Sequence, residues 1–249
     1  MKFVLVDEAT KVPYGPPTSI AGGNCPRVIW DPTSNVFRIY FLRADAITTT
    51  IEHVSFDPTT LAASSITTVV SDAANGSLGG QLDGLYHSAQ DTNYLAYQTA
   101  AAGLKVLKLT DSGANRGKTV AGSQTSAETT TSGVAIAVYS TGAIGVATLN
   151  ATNGCKAHAL PADLTAITTV VVEAGTTLVR VGMIATGTNM LIVYEGGGAP
   201  RDTARNIRKA TVDATPAVVT AAAALTASVG LVSKPFTVGG NIYVCGAYY

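Results

Sequence analysis

Residues 35–58, NVFRIYFLRADAITTTIEHVSFDP, constrain the fold more than any other stretch, because they read as two β-strands joined by a short connection. In the first strand Phe37, Ile39 and Phe41 point one way and Val36, Tyr40 and Leu42 the other, with Arg38 the only polar residue among them. Both faces are apolar. Such a strand must be covered on both sides, and its β-branched and aromatic content over so short a run favours strand over helix.

The pattern returns down the chain. Comparable strands follow at 94–97 (YLAY), 134–139 (VAIAVY), 190–194 (MLIVY) and 242–245 (IYVC). Tyr40, Tyr97, Tyr139 and Tyr194 stand 57, 42 and 55 positions apart, the spacing of propeller blades with connections of variable length. A return strand recurs as 54–57 (VSFD), 147–150 (ATLN) and 210–213 (ATVD), with a weaker copy at 107–111, and its Asx ending bonds the backbone two residues on to start a turn. The run Ile-Thr-Thr-Val-Val occurs at 66–70 and again at 167–171, after Leu61 and Leu164, and suits an exposed outer strand. Before the tyrosine strands lies a fourth candidate, at 27–30, 85–88, 178–181 and 231–238, poorest in the third unit.

Four short strands per unit, repeated four times with a fifth begun, predict an all-β chain: a β-propeller of four-stranded antiparallel blades, with a β-sandwich as the alternative. A sandwich requires strands apolar on one face, which these are not. The units fall at roughly 26–70, 84–122, 130–172, 177–229 and 231–249, in a single domain. The last stops after its second strand, so the reading expects further sequence, a segment such as Phe3 to Val6, or a partner subunit to complete it.

Composition narrows the function. Of 249 residues 47% are hydrophobic, enough for a core, while only 13% are charged. Sixteen basic residues balance sixteen acidic ones, so no global field draws the chain to nucleic acid or anionic lipid. Residues 214–233 carry no charge, but Pro216 and a mostly Ala and Thr content argue for a covered pair of strands rather than membrane insertion. Cys25, Cys155 and Cys245 stand far apart and read as free, buried thiols.

No catalytic motif, metal-ligand spacing or cofactor loop stands out, so no catalytic residue, metal or cofactor is expected. His53 and His87 fall in strands and His158 in a loop before Pro161, too scattered for a metal set. The basic cluster Arg201, Arg205, Arg208 and Lys209, after three glycines, is the candidate interaction surface. A glycan-binding or glycan-cleaving alternative would stack sugars on Trp30, Tyr86 and Tyr94 and use Asp31 and Asp83 as its carboxylate pair. A peptide-binding scaffold propeller is a second alternative.

Residues 239–246 resemble the double-glycine strand of a kelch blade, but the other units lack the double glycine. The run 26–32 (PRVIWDP), leading into a tyrosine-marked strand, resembles the divergent propellers in tail proteins of tailed bacteriophages, tail nozzle and tubular proteins in particular. That resemblance implies a non-enzymatic structural or adaptor subunit of a virion, assembled in the host cytoplasm. Its expected partners are other tail proteins, copies of itself and a host-surface glycan.

Overall fold

The computed structural model describes residues 2–3, 10, 12–13, 18–19, 23–44, 49–73, 82–100, 103–126, 133–150, 154–174, 180–196, 206–225, 235–238 and 241–243. After a short antiparallel pair, β1 (Lys2–Phe3) and β2 (Thr18–Ser19), the chain forms four successive antiparallel sheets. Blade 1 is β3 (Gly23–Asp31), β4 (Val36–Ala44) and β5 (Thr49–Asp57), with β6 (Ala62–Ala63) and β7 (Thr67–Ala73) both on β5. Blade 2 is β8 (Leu82–His87), β9 (Thr92–Gln98), β10 (Leu104–Leu109) and β11 (Val120–Ser126). Blade 3 is β12 (Gly133–Val138), β13 (Ile144–Asn150), β14 (Gly154–Leu160) and β15 (Thr168–Glu173). Blade 4 is β16 (Val181–Thr186), β17 (Asn189–Gly196), β18 (Asn206–Asp213) and β19 (Val218–Ala224). A hairpin, β20 (Phe236–Val238) and β21 (Asn241–Tyr243), begins a fifth sheet.

The first strands β3, β8, β12 and β16 neighbour one another in turn, so they converge on an axis and the fourth strands lie outermost. This is the blade arrangement of a propeller, and it rules out the two facing sheets of a sandwich. Each pair of neighbouring blades encloses its own apolar layer. Tyr40, Leu42 and Ile51 meet Leu82, Leu95 and Tyr97 between blades 1 and 2, and Ala147, Leu149 and Ala157 meet Met190, Ile192 and Tyr194 between blades 3 and 4. All seven residues of β9 are buried, as a second strand between two blades must be. The outer strands β11, β15 and β19 are largely exposed and β7 is half-buried, with Val69 and Val70 against the core; the repeated Ile-Thr-Thr-Val-Val runs lead into β7 and β15.

Tyrosine marks the blades because its ring fills an interblade layer and its hydroxyl needs an acceptor there. The Tyr40 hydroxyl donates to the Gly117 carbonyl at 2.8 Å, that of Tyr94 to Ala162 and that of Tyr139 to Asp213 at 2.9 Å. Each acceptor lies at or beyond the end of the next blade's third strand. Gly117 is required where it stands: its φ is +66°, and a Cβ there would lie 2.7 Å from the Arg38 side chain. A second device appears between blades 1 and 2 and again between blades 3 and 4. The Tyr97 hydroxyl and Lys105 both bond Asp72 of β7, and the Tyr194 hydroxyl and Arg208 both bond Glu173 of β15. In each case tyrosine and cation are cross-strand partners.

Four expectations change. In blade 3 the tyrosine-bearing run at 134–139 forms the first strand and not the second, which is why a strand before it is missing. A strand apolar on both faces reports burial between blades, not its rank within the sheet. Tyr139 nevertheless fills the layer, because Gly145 of β13 leaves room; a Cβ there would sit 2.9 Å from the ring. The first strand of blade 4 is β16, beginning at Val181, where the strand expected at 178–181 ends. Within 214–225, the described part of 214–233, β19 is a mostly exposed outer strand and not a covered one. His158 belongs to β14, buried between the Thr148 and Thr169 hydroxyls, and not to a loop. Of the segment Phe3 to Val6 only Phe3 is described, in β1.

Candidate functional site

Neighbouring first strands run in the same direction, so the blades present two ends. The start face is where β3, β8, β12 and β16 begin; the turn face is where each hands over to its second strand. Two contacts fix this polarity. Arg27 in β3 bonds Asp83, the second residue of β8, while Thr33, just past β3, donates to Asp91, just past β8.

The turn face is closed by a charge network. Asp31, fully buried at the end of β3, accepts from Arg38 Nε at 2.7 Å and from Arg116 Nε and Nη2 at 2.9 Å each. Arg116, from the β10–β11 connection, also bonds Asp91, which the Thr33 and Tyr86 hydroxyls reach at 2.6 Å. Burial pushes the Asp31 carboxyl up, but the bonds from Arg116 and Arg38 outweigh it and hold it well below the usual carboxylate range. The Arg116 bond, with those of Thr33 and Tyr86, brings Asp91 down to about 2. Carboxylates this committed cannot pass a proton near neutral pH.

At the start face Asp83 is almost fully buried as well. Arg27 Nε lies 3.1 Å from its Oδ1, and the Ile136 N–H of β12 donates to its Oδ2 at 3.0 Å. One carboxylate therefore ties the first strands of blades 1, 2 and 3 close to the axis. Glu195, the penultimate residue of β17 and 1% exposed, brings a second buried carboxylate to this end. Its N–H donates to the carbonyl of Arg180, the exposed residue that precedes β16.

The sequence candidates are scattered by this geometry. Asp31 and Asp83 do not form a pair: Arg27, which holds Asp83, precedes Asp31 by four residues, about 13 Å of strand. That exceeds the roughly 5 to 9.5 Å between the carboxyls of a glycosidase. Tyr94 lies in the core and Tyr86 is half-buried on Asp91, so of the three proposed sugar platforms only Trp30 is exposed, tilted against Phe37 at 4.8 Å. In the basic cluster Arg208 is taken by Glu173 and Lys209 is exposed, while Arg201 and Arg205 lie outside the described residues. Arg38 serves Asp31, Glu52 pairs with Arg43, and His53 packs on Tyr40, all inside blade 1. Cys155 is buried, its thiol pushed up first by burial and then by Glu173; Cys25 is half-buried, and Cys245 lies outside the described residues. The sequence reading missed Arg27, Arg116, Arg180 and Glu195. Only Glu195 left a trace, as the charge that ends an otherwise apolar strand.

No family model and no curated protein matches the sequence. Solved structures share the fold. Hydrazine synthase from Kuenenia stuttgartiensis aligns at TM-score 0.59 and 11% identity over 90% of this chain and 60% of its own. A GH43 β-1,3-galactosidase aligns at 0.55 and 9% over 98% and 56%. The exo-β-1,3-galactanase of Phanerochaete chrysosporium with galactose aligns at 0.54 and 11% over 99% and 60%. The chain thus spans about 56–60% of the length of these structures. They correct the expectation of a non-enzymatic subunit of a phage tail: these three structures are of enzymes, two of them glycosidases, and none is a tail protein. A likeness at this identity establishes the fold, and one fold carries several chemistries.

Proposed function

We propose that the protein is a glycan-cleaving propeller whose working end is the start face, with Asp83 and Glu195 as its carboxylate pair. The observation that carries the reading is that this end brings two buried carboxylates from two blades to strands at or next to the axis. Glycoside hydrolysis needs two carboxyl groups in different roles: one protonates the leaving oxygen, while the other activates water or attacks the sugar. Asp83, oriented by Arg27 and the Ile136 N–H, suits the second role and Glu195 the first. The propeller glycosidases to which the chain is similar make β-1,3-linked galactan the substrate to try first.

The test is sugar release from β-1,3-galactooligosaccharides by the purified protein. Asp83→Asn and Glu195→Gln are each expected to lower kcat/KM by about 100-fold or more while the circular dichroism spectrum is unchanged. A wild-type protein that neither cleaves nor binds these oligosaccharides, or two variants that keep full activity, would sink the reading.

A further inference from the structure

We propose that the β20–β21 hairpin is a strap that closes the ring: its apolar face, Phe236, Val238 and Tyr243, packs on the open face of blade 1 at Val28 and Trp30. Closure of the ring does not depend on the glycan-cleaving reading.

Three apolar layers of the fold draw on two blades each, between blades 1 and 2, 2 and 3, and 3 and 4. A fourth draws on blade 1 alone: among the described residues Ile39, Phe41, Val54 and Phe56 cluster only with Phe37. The register carries this half-layer on to the axial strand, because Val28 is paired with Ile39 and Trp30 with Phe37, and residues paired across an antiparallel ladder share a face. Blade 1 turns its other face, with Ile29, Tyr40 and Leu42, to blade 2. The half-layer is therefore the face that a preceding blade covers. Ile39 and Phe41 are buried, but Val28 and Trp30 are 59% and 39% exposed. In contrast β8 and β12, which have a blade on either side, carry no exposed residue.

The hairpin supplies the missing half. It follows the outer strand of blade 4 as β8, β12 and β16 follow the outer strands of the blades before them, so β20 takes the place of the next first strand. Blade 4 shows which way it faces. Two residues, Gly187 and Thr188, separate β16 from β17, and two, Gly239 and Gly240, separate β20 from β21. In blade 4 the pair next to that turn, Thr186 and Asn189, shares a face with Ile184 and Leu191, while the layer with blade 3 takes Met183, Met190 and Ile192 from the other face. By the same register Val238 with Asn241, and Phe236 with Tyr243, look away from blade 4 and towards blade 1. These three apolar residues are exposed, with the Phe236 and Tyr243 rings stacked at 5.7 Å. Two apolar surfaces that flank one seam of the ring bury each other when it closes, and closure next to β3 is where a first and second strand belong.

Trp30 is the only tryptophan of the chain, so its indole reports on this seam alone. The experiment measures nuclear Overhauser contacts from that indole and the quenching of its fluorescence by acrylamide in the full chain. Contacts from Trp30 to the Phe236 or Tyr243 ring are expected. Phe236→Ser and Tyr243→Ser should each lose much of the protection from acrylamide while the circular dichroism spectrum is unchanged. Val219→Ser, on the exposed outer strand β19, should leave Trp30 as it was. Absence of indole contacts to both rings in the wild-type protein overturns the proposal whether or not the variants fold, and so does quenching that neither hairpin variant moves. Contacts that vanish on dilution, with a dimer mass by light scattering, would place the hairpin of a second copy on the seam and overturn closure within the chain.

Discussion

At the turn face Asp31 is fully buried and gripped by two arginines that are themselves buried, whereas at the start face Asp83 is nearly as buried but leans on one arginine that is a third exposed. The same strands build both ends. What differs is how exposed the arginines are that answer each buried charge. A buried charge with every lone pair satisfied is a fixed part of the framework, since removing a partner strands the other. A buried charge whose arginine is open to solvent can be reached through that partner. On the proposed function the difference separates a structural carboxylate from a working one, although neither is distinguishable in composition.

The sharpest way to break this comparison is to remove one arginine from each end. Arg116→Ala leaves Asp31 buried with half its counter-charge and is expected to cost about 3–5 kcal/mol in urea unfolding. Arg27→Ala exposes Asp83 to water that can replace the lost partner, so a loss of about 1–2 kcal/mol is expected. If the two losses come out equal, the ends are not different in kind.

The next effect is on the acid side and belongs to the framework next to the turn face. His53 is buried against Tyr40, its Nδ1 has no hydrogen-bond partner, and burial, then the charge of Arg38, lowers its pKa to about 3 from 6.5. Between those values the unfolded chain takes up a proton that the folded chain refuses. Stability is therefore full above pH 6.5 and falls as the pH drops towards 3, by roughly 1.4 kcal/mol per pH unit. His53→Leu should flatten that slope between pH 6 and 4 in urea titrations; an unchanged slope would mean that the ring is protonated inside the fold.

Smallest is the change at the blade junction. Tyr40→Phe keeps the ring and removes the hydroxyl that bonds Gly117, orphaning a carbonyl of the next blade, for an expected cost of about 1 kcal/mol. Tyr194→Phe, at the start face between blades 3 and 4, removes a bond to Glu173 that Arg208 also holds, so it should cost less. Calorimetric melting of the two variants orders them.

Much of the architecture was written locally. The two-sided apolar strand at β4, the Thr-Val outer strands and the Asx turns after Asp57 and Asp213 need no partner to be recognised, and each appears where the pattern put it. The site was not legible in this way. Asp31 and Asp83 look alike in sequence, both lying in or at the end of a strand, and only the partner decides between them. For Asp31 that partner is Arg116, 85 residues away, in a connection whose own sequence carries no signal.

The sequence by itself determined that the chain is built of repeated four-stranded units buried against one another, because burial on both faces of a short strand is a local property of alternating residues. Only the tertiary structure decided which strand leads each blade and which arginine answers which carboxylate. Those are properties of partners brought together from different blades, and no spacing along the chain encodes them.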